Sequence, residues 1–428
     1  MTKYLIKTNF KRFIIKKFLG YIMKAESVKI TDGVYWVGAL HWNTRSFHGF
    51  AIPGTTYNCY LVFGEEKVAL IDNVFSDGMI DQLNARIEDA FAKENREVNI
   101  DVFIQCHTEL DHSIGLKETI DRFPKAEVYA SPKGAEFLEK QYHNYSDVEI
   151  TTVKTGDNID LGGKTLTIVS APMLHWPDSM FVMFVEKGIL FSNDAFGQHL
   201  CLSKRYVEDY DEGFILNAAK KFYANLVVLG APMLRMKLQE LTDAKIVNQI
   251  KMIAPCHGQI WKDPSKIVKA YSDWATGVCE NKITIIYDTM HHSTEKLAYQ
   301  IAEGIMSEGV EAKIYFMQED FESEVVNDIL DSKAIALGAP TMMNKPFPRI
   351  GNMMYWLDCL NFKGTTSEKN ALIFTSKGWG GGAVAKLQRD LESAGFTIFD
   401  TLDVTFVPDE EMLTEAFNKG VELAKSIK

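Results

Sequence analysis

The chain lacks the features of a membrane protein, a disulfide-stabilised protein or a nucleic-acid-binding protein. None of its apolar runs approaches the ~20 residues that span a bilayer. Its six cysteines lie at positions 59, 106, 201, 256, 279 and 359, and no two have the CxxC spacing of a four-thiolate metal site. A chain of 428 residues does not need disulfides, so free thiols predict a reducing, cytoplasmic location. The formal net charge of -11 argues against a nucleic-acid partner, because surfaces that bind nucleic acid are basic.

Acidic residues are also absent from the first 22 positions. In this basic N-terminal extension, residues 1–22, lysine and arginine alternate with isoleucine, phenylalanine and leucine. A targeting helix and a membrane-surface helix both fit that pattern. We favour a simpler interpretation, an upstream start with Met23 as the true first residue.

Internal repeats and low-complexity segments are absent as well, and the length predicts two to three domains. Composition changes near 278–282, which divides the remaining sequence into residues 23–278 and 281–428. The first part is rich in turns and short apolar segments, and it includes a predicted helix at Met79–Lys93 and a predicted strand at Val227–Gly230.

In the second part strands and helices alternate strictly, which predicts an α/β fold with a parallel sheet wound on both faces. The predicted strands are 283–287, 312–316, 334–338, 370–375 and 397–401, and the predicted helices are 293–309, 321–330, 348–360, 382–394 and 409–427.

Potential metal ligands are concentrated in one loop, which directly follows the apolar segment Val102–Ile104. This loop contains His107, Glu109, Asp111 and His112. Three later loops each follow an apolar segment and present one further ligand, namely His175, Asp194 and His257. A single histidine of this kind is more often a packed core residue, but an ordered set at strand ends predicts joint metal binding.

The order and spacing of these ligands resemble the metallo-β-lactamase superfamily, whose motif is HxHxDH followed by a lone His, a lone Asp and a final His. The resemblance covers about residues 28–278 and implies an αββα sandwich. Glu109 departs from the motif, because it stands where the second His is expected. A zinc hydrolase uses several imidazoles and an open coordination position. A carboxylate in place of an imidazole makes the site harder and shifts its preference toward iron or manganese.

The glutamate variant, together with segments Ala171–Met180 and Ser192–Gly197, is similar to the flavodiiron proteins. That resemblance implies two iron ions: one bound by His107, Glu109 and His175, the other by Asp111, His112 and His257, with Asp194 as the bridge. His48 and His199 are candidates for lining the substrate pocket or orienting ligands, and the alternative is that they are ordinary packed residues.

Three loops in the second part have the composition of a nucleotide-binding site. Loop 288–296 places hydroxyls and backbone N–H groups at the start of a helix, which suits a phosphate, although a capped helix end without a ligand is the alternative. It contains neither a Walker A sequence nor GxGxxG. Loops 338–344 and 376–382 supply glycines for close backbone approach and Trp379 for stacking on a planar ring.

These loops resemble those of the flavodoxins, over about residues 281–428, and the resemblance implies FMN as cofactor. His292 matches the family motif, whereas the family often has Trp at the position of His291. The residues that the resemblance places at FMN are Thr289, Met290, His292, Ser293, Thr294, Pro340, Thr341, Met342, Asn344, Ser376, Gly378, Trp379, Gly380 and Gly381.

Together the resemblances imply an oxidoreductase that reduces dioxygen to water at a non-haem di-iron centre with electrons passed through FMN. Nitric oxide is the alternative substrate gas. Segments 34–38, 47–49 and 55–58 look most like the methanogen branch, which favours reduced deazaflavin coenzyme F-420 as donor over rubredoxin. The family also implies a head-to-tail homodimer, or a dimer of such dimers, in which each flavin faces the partner's irons.

Two other classes of protein fit parts of the sequence. A binuclear metal hydrolase with a flavodoxin-like accessory domain would use the same metal loops for hydrolysis. An electron carrier with a vestigial metal site would reduce its flavin without consuming oxygen.

Overall fold

The computed structural model describes residues 23–75, 78–143, 145, 147–244, 246–360 and 367–428. The basic extension proposed for residues 1–22 lies outside the described residues. Within those ranges, the helices are all too short or too polar to span a membrane.

The first part of the chain is built from two facing sheets. One has seven strands in the order β1-β2-β7-β8-β9-β10-β11, and the other has five in the order β12-β13-β14-β15-β16. Short strands β3 and β6 pair with each other, as do β4 and β5. The strands are β1 (Val28–Thr31), β2 (Val34–Trp36), β3 (Ala39–His41), β4 (Ser46–Phe47), β5 (Phe50–Ala51), β6 (Thr55–Tyr57), β7 (Tyr60–Phe63), β8 (Val68–Ile71), β9 (Val102–Gln105), β10 (Glu127–Ala130), β11 (Ile150–Thr152), β12 (Asn158–Asp160), β13 (Thr165–Ser170), β14 (Met180–Phe184), β15 (Ile189–Phe191) and β16 (Met252–Ala254).

Helices cover the outer face of each sheet, so the first part is an αββα sandwich. Alternation along β14 shows why: Met180, Val182 and Phe184 lie in the core between the sheets, while Phe181 and Met183 pack against helices. The helices of this part are α1 (Met79–Lys93), α2 (Leu110–Ser113), α3 (Leu116–Arg122), α4 (Pro132–Tyr142), α5 (Glu212–Phe222), α6 (Ala231–Asp243) and α7 (Pro264–Thr276).

The strand predicted at Val227–Gly230 is wrong, because this segment is helical. Tyr223–Val227 forms a π-helical turn and Val228–Gly230 a 3-10 turn, which together join α5 to α6. A short apolar run has the same composition in a buried strand and in a buried helix, so the sequence does not separate the two.

The second part is a doubly wound parallel sheet in the order β18-β17-β19-β21-β22, with β20 paired antiparallel to β19. Helices α8 and α12 pack on one face and α9, α10 and α11 on the other. The elements are β17 (Glu280–Tyr287), α8 (Ser293–Ser307), β18 (Glu311–Phe316), α9 (Glu322–Asp331), β19 (Ser332–Met342), β20 (Lys345–Pro346), α10 (Pro348–Leu360), β21 (Lys369–Lys377), α11 (Ala383–Ser393), β22 (Phe396–Thr405) and α12 (Glu410–Ser426).

The two parts share one continuous apolar core, which runs from α5 and α7 to α9 and α10. Buried charges lie at the same junction: Lys220 Nζ is 2.6 Å from Asp331 Oδ2, and Lys282 Nζ is 3.0 Å from Asp328 Oδ1. Paired charges of this kind fix the relative placement of the elements that carry them, because separating them would leave a buried charge uncompensated.

Candidate metal centre and flavin site

The main ligand loop begins where β9 ends and runs into the short helix α2. The Gln105 side-chain amide donates to the carbonyl oxygens of His107 and His112, at 2.5 and 2.9 Å, so the two ends of the loop are held together. The first turn of α2 then points Asp111 and His112 into the same cleft that His107 enters from the strand end.

The first group of side chains is His107, Glu109, His175 and one oxygen of Asp194. His107 Nε2 lies 3.3 Å from Glu109 Oε2 and 3.5 Å from Asp194 Oδ2. His175 Nε2 lies 3.4 Å from each of the same two oxygens. Both imidazoles therefore face the same pair of carboxylates.

The second group is Asp111, His112, His257 and the other oxygen of Asp194. His112 Nε2 lies 3.3 Å from Asp111 Oδ2 and 3.3 Å from Asp194 Oδ1. His257 Nε2 lies 3.2 and 3.4 Å from the same atoms. Because Asp194 presents a different oxygen to each group, its carboxylate lies between two metal positions.

These side chains fit a pair of metal ions. Neighbouring ligands around an ion with bonds of about 2.1 Å are themselves about 3.0–3.4 Å apart, close to the separations found here. Asp111 Oδ1 and Oδ2 and Asp194 Oδ2 are buried and have no hydrogen-bond partner among the described residues. Buried carboxylate oxygens without a partner are costly unless a cation compensates them.

The pKa values of the histidines and of Asp194 also favour cation binding in this cleft. Burial would lower the pKa of His175 and His257, but the adjacent carboxylates of Asp194 and of Glu109 or Asp111 outweigh it and raise the two pKa values to about 9 and about 10. Burial would raise the pKa of Asp194, yet the surrounding histidines hold it well below its usual range. The cleft thus favours positive charge at His107, His112, His175 and His257, and metal ions supply that charge when they displace the protons.

Two residues that the sequence analysis did not single out orient the ligands. The buried Asp178 accepts from His107 Nδ1 at 3.1 Å and from the Thr108 backbone N–H at 2.7 Å. His257 Nδ1 donates to the Thr56 carbonyl at 2.6 Å, which turns Nε2 toward the cleft. Asp178 stands three residues after His175, and an acid just before a buried strand is the only signal that the sequence offers.

His48 and His199 both lie at the metal centre. His48, on the turn between β4 and β5, contacts the Glu109 carboxylate through Nε2. His199 Nδ1 is 2.8 Å from Thr55 Oγ1, and its ring centroid is 4.7 Å from that of His257. Burial holds the pKa of His199 well below its usual range, so it is a neutral ring packed beside a ligand.

The three loops predicted to bind a nucleotide meet at the carboxyl ends of β17, β19 and β21, next to the point where the strand order reverses. They enclose a cavity of about 640 Å³. Thr289 and Thr341 have buried hydroxyls without a partner in the described part of the chain, and Thr294 Oγ1 is 2.9 Å from Ser376 Oγ. Free hydroxyls beside a helix start suit a phosphate, and the cavity volume suits a cofactor of the size of FMN.

The cavity is lined by most, but not all, of the residues predicted for FMN. Predicted residues that line it are Met290, Ser293, Pro340, Thr341, Met342, Asn344, Ser376, Gly378, Trp379 and Gly380. Thr289, Thr294 and Gly381 are not among the lining residues, and the His292 side chain turns to Glu295, with Nδ1 2.6 Å from Oε2. His291, Met343, Lys377, Phe406 and Val407 also line the cavity, and the sequence analysis did not include them.

Both parts of the chain match known protein families. The profile described as ODP family beta lactamase matches residues 55–258, and the flavodoxin profile matches residues 285–420. A coenzyme F-420H(2) oxidase of Methanocaldococcus jannaschii is 50% identical, over 94% of this chain and 97% of the relative. A nitric oxide reductase of Moorella thermoacetica is 38% identical, over 94% of this chain and 99% of the relative.

A solved structure has the same two-part architecture. The rubredoxin oxygen:oxidoreductase of Desulfovibrio gigas superposes with a TM-score of 0.85 at 30% identity, covering 94% of this chain and 98% of that one. Fold and sites therefore define an oxidoreductase that joins a metallo-β-lactamase-like domain to a flavodoxin-like domain. The chain belongs to the flavodiiron proteins, whose cofactors are FMN and a non-haem di-iron centre.

Proposed function

We propose that this flavodiiron protein is an oxidase that reduces dioxygen to water with electrons from reduced deazaflavin coenzyme F-420. The observation that carries the proposal is the 50% identity to a coenzyme F-420H(2) oxidase over nearly the whole of both chains. Free cysteines at all six positions support a reducing, cytoplasmic location.

The ligand roles follow from the two groups of side chains in the cleft. In this proposal His107, Glu109 and His175 hold one iron, and Asp111, His112 and His257 hold the other. Asp194 would contact both irons, because its two oxygens face different groups. Three carboxylates nearly neutralise two divalent ions, which keeps the net charge of the buried cleft small.

When bound, FMN and the two irons supply the electrons for reducing the gas. The chain's own residues position and isolate that chemistry. Asp178 and the Thr56 carbonyl fix the tautomers of His107 and His257, so that Nε2 of each ring is free to bind metal. His48 contacts Glu109 from the turn between β4 and β5 and would orient its carboxylate.

We also propose that two chains associate head to tail. The flavin cavity carries large exposed side chains at its rim: Trp379 is 98% exposed and Met343 is 87% exposed. Exposed apolar surface of this extent marks a surface that a partner covers. A second copy placed there would bring its metal centre toward the flavin, and a dimer of such dimers would keep the same arrangement.

Stopped-flow mixing of the reduced protein tests the function. The FMN- and iron-loaded protein is reduced anaerobically by reduced coenzyme F-420, or by reduced rubredoxin, and is then mixed with dioxygen or nitric oxide. We expect fast flavin reduction by the deazaflavin and fast reoxidation by dioxygen. Slow reduction by the deazaflavin together with fast reduction by rubredoxin would overturn the proposed donor.

Nitric oxide is the second candidate substrate, because the Moorella thermoacetica relative is a nitric oxide reductase at 38% identity. The same experiment separates the two gases. Reoxidation by nitric oxide at a rate well above that by dioxygen would reverse our assignment while leaving the metal and flavin sites unchanged.

A further inference from the structure

A buried cysteine lies beside the second metal position and has no part in the proposed di-iron site. Cys256 Sγ is 3.1 Å from Asp194 Oδ1 and 3.8 Å from His112 Nε2. One donor atom each from His112, Asp194, Cys256 and His257 all lie within 4.8 Å of one another, and all four residues are buried. Cys256 directly precedes His257 in the loop after β16, so both side chains enter the cleft from the same loop.

The separations suit a tetrahedral ion bound through sulfur. With a zinc–sulfur bond of about 2.3 Å and zinc–nitrogen bonds of about 2.0–2.1 Å, neighbouring S and N ligands lie about 3.5 Å apart. The distances from Cys256 Sγ to Asp194 Oδ1 and to His112 Nε2 lie on either side of that value. Small side-chain rotations would make them equal.

Two side chains, the Asp111 carboxylate and the Cys256 thiolate, therefore compete to complete the ligands of the second metal position. His112, His257 and Asp194 are common to both arrangements, and the additional ligand is either the Asp111 carboxylate or the Cys256 thiolate. A carboxylate suits a harder ion such as ferrous iron, whereas a thiolate suits a softer ion such as zinc. The choice of ligand thus depends on which ion enters.

We propose that the second metal position also binds thiophilic divalent cations, Zn²⁺ above all, through His112, Asp194, His257 and the Cys256 thiolate. Binding breaks the S–H bond, forms a metal–sulfur bond and releases the proton to solvent, with no change of oxidation state. The zinc form holds a redox-inactive ion where iron belongs, so zinc blocks loading of the second iron. The inference rests on the proposed ligand roles of the two histidines and Asp194.

Cobalt(II) is the probe, because a cobalt–thiolate bond gives a charge-transfer band in the near ultraviolet that nitrogen and oxygen ligands do not give. The full chain with FMN bound is stripped of metal and titrated anaerobically with Co²⁺. The band is followed in the wild type, in Cys256→Ser, in Asp111→Asn and in Cys106→Ser, a control that alters another buried cysteine near the cleft. Retained FMN shows that the second part of each variant is folded, and an unchanged circular dichroism spectrum and melting temperature show the same for the first part.

We expect the band in the wild type, in Asp111→Asn and in Cys106→Ser, and its loss in Cys256→Ser. Zinc should bind Cys256→Ser at least roughly tenfold more weakly, since even residues that only orient a ligand cost that much. Iron loading should show the opposite dependence on the two residues. The iron content should be normal in Cys256→Ser and reduced in Asp111→Asn. Bound cobalt without a thiolate band in the wild type would overturn the thiolate site alone. No bound cobalt in the wild type would overturn the ligand roles as well.

Discussion

The metal centre and the flavin cavity differ in what supplies their contacts. The metal centre consists of side chains that are almost completely buried, and every ligand atom faces another ligand or a partner that orients it. The flavin cavity is lined by residues of separate loops, which include glycines, hydroxyl residues and apolar side chains, and its aromatic rim is open to solvent. The contacts of the first site therefore come from buried side chains that face one another, whereas those of the second come from loops around a cavity with an exposed rim.

This difference predicts that substitutions at the two sites act in separate ways. A change at the metal centre should remove metal and activity while leaving the flavin bound. A change at the flavin cavity should weaken flavin binding in proportion to the backbone displacement it causes. A substitution that lowers metal content and flavin affinity equally would contradict this expected difference between the two sites.

The largest effect is expected for Asp194→Asn. An amide cannot bridge two cations with two anionic oxygens, so oxygen uptake should fall by more than about a hundredfold, beyond the loss typical of a residue that only orients a ligand. Oxygen-electrode assays and elemental analysis measure uptake and iron content, with FMN content as the fold control. Asp160→Asn, an exposed carboxylate, is the matched control. Oxygen uptake at the wild-type rate in Asp194→Asn would refute the bridging role.

A smaller effect is expected for Asp178→Asn. The substitution puts an NH₂ group where one carboxylate oxygen now accepts from His107 or from Thr108. The affinity for metal at the first position should fall about 10- to 100-fold, because an orienting partner of a ligating histidine is lost. Competition with a chelator measures it. An unchanged affinity would mean that packing alone orients His107.

At the flavin cavity, Gly382→Ala should weaken FMN binding. Gly382 has φ +147°, and a Cβ there would lie 2.3 Å from the Asn344 carbonyl oxygen in a neighbouring loop of the cavity. A strain of about 1–2 kcal/mol corresponds to roughly 5- to 30-fold weaker binding. Gly351→Ala, on α10 and outside the cavity lining, is the control, since its Cβ would meet no described atom within 4 Å. Fluorescence titration of the flavin-free protein gives both constants, and equal constants would contradict the steric argument.

The same difference explains how much of each site was predictable from sequence. The seven proposed metal ligands are chemically distinctive residues in a fixed order at strand ends, and the structure brings all seven into one cleft. Asp178 and Cys256 were not selected. Their importance comes from the folding of separate loops onto one another, and a lone acid or thiol in sequence carries no such information.

The flavin cavity was predicted less completely. Three loops were identified from their glycines and hydroxyls, but Phe406 and Val407 line the cavity from a fourth loop, after β22, with ordinary apolar composition. The sequence also did not predict which histidine side chain faces the cavity. His292 turns to Glu295, whereas its neighbour His291 lines the cavity. The strand predicted at Val227–Gly230 failed for a related reason, since packing rather than composition made that apolar segment helical.

The smallest effect is expected for Trp379→Ala. The indole is 98% exposed in the single chain, so its contribution comes from stacking on the flavin rather than from packing in the protein. An aromatic pair contributes about 0.5–1.5 kcal/mol, which predicts roughly 2- to 10-fold weaker FMN binding, and Trp379→Phe should restore most of it. Under the proposed head-to-tail association, the loss should be larger for the associated protein than for the diluted single chain, because the partner would exclude water from the stack. FMN titration above and below the concentration at which chains associate measures the affinity in both states. The same affinity in Trp379→Ala as in the wild type would show that Trp379 does not contact the flavin.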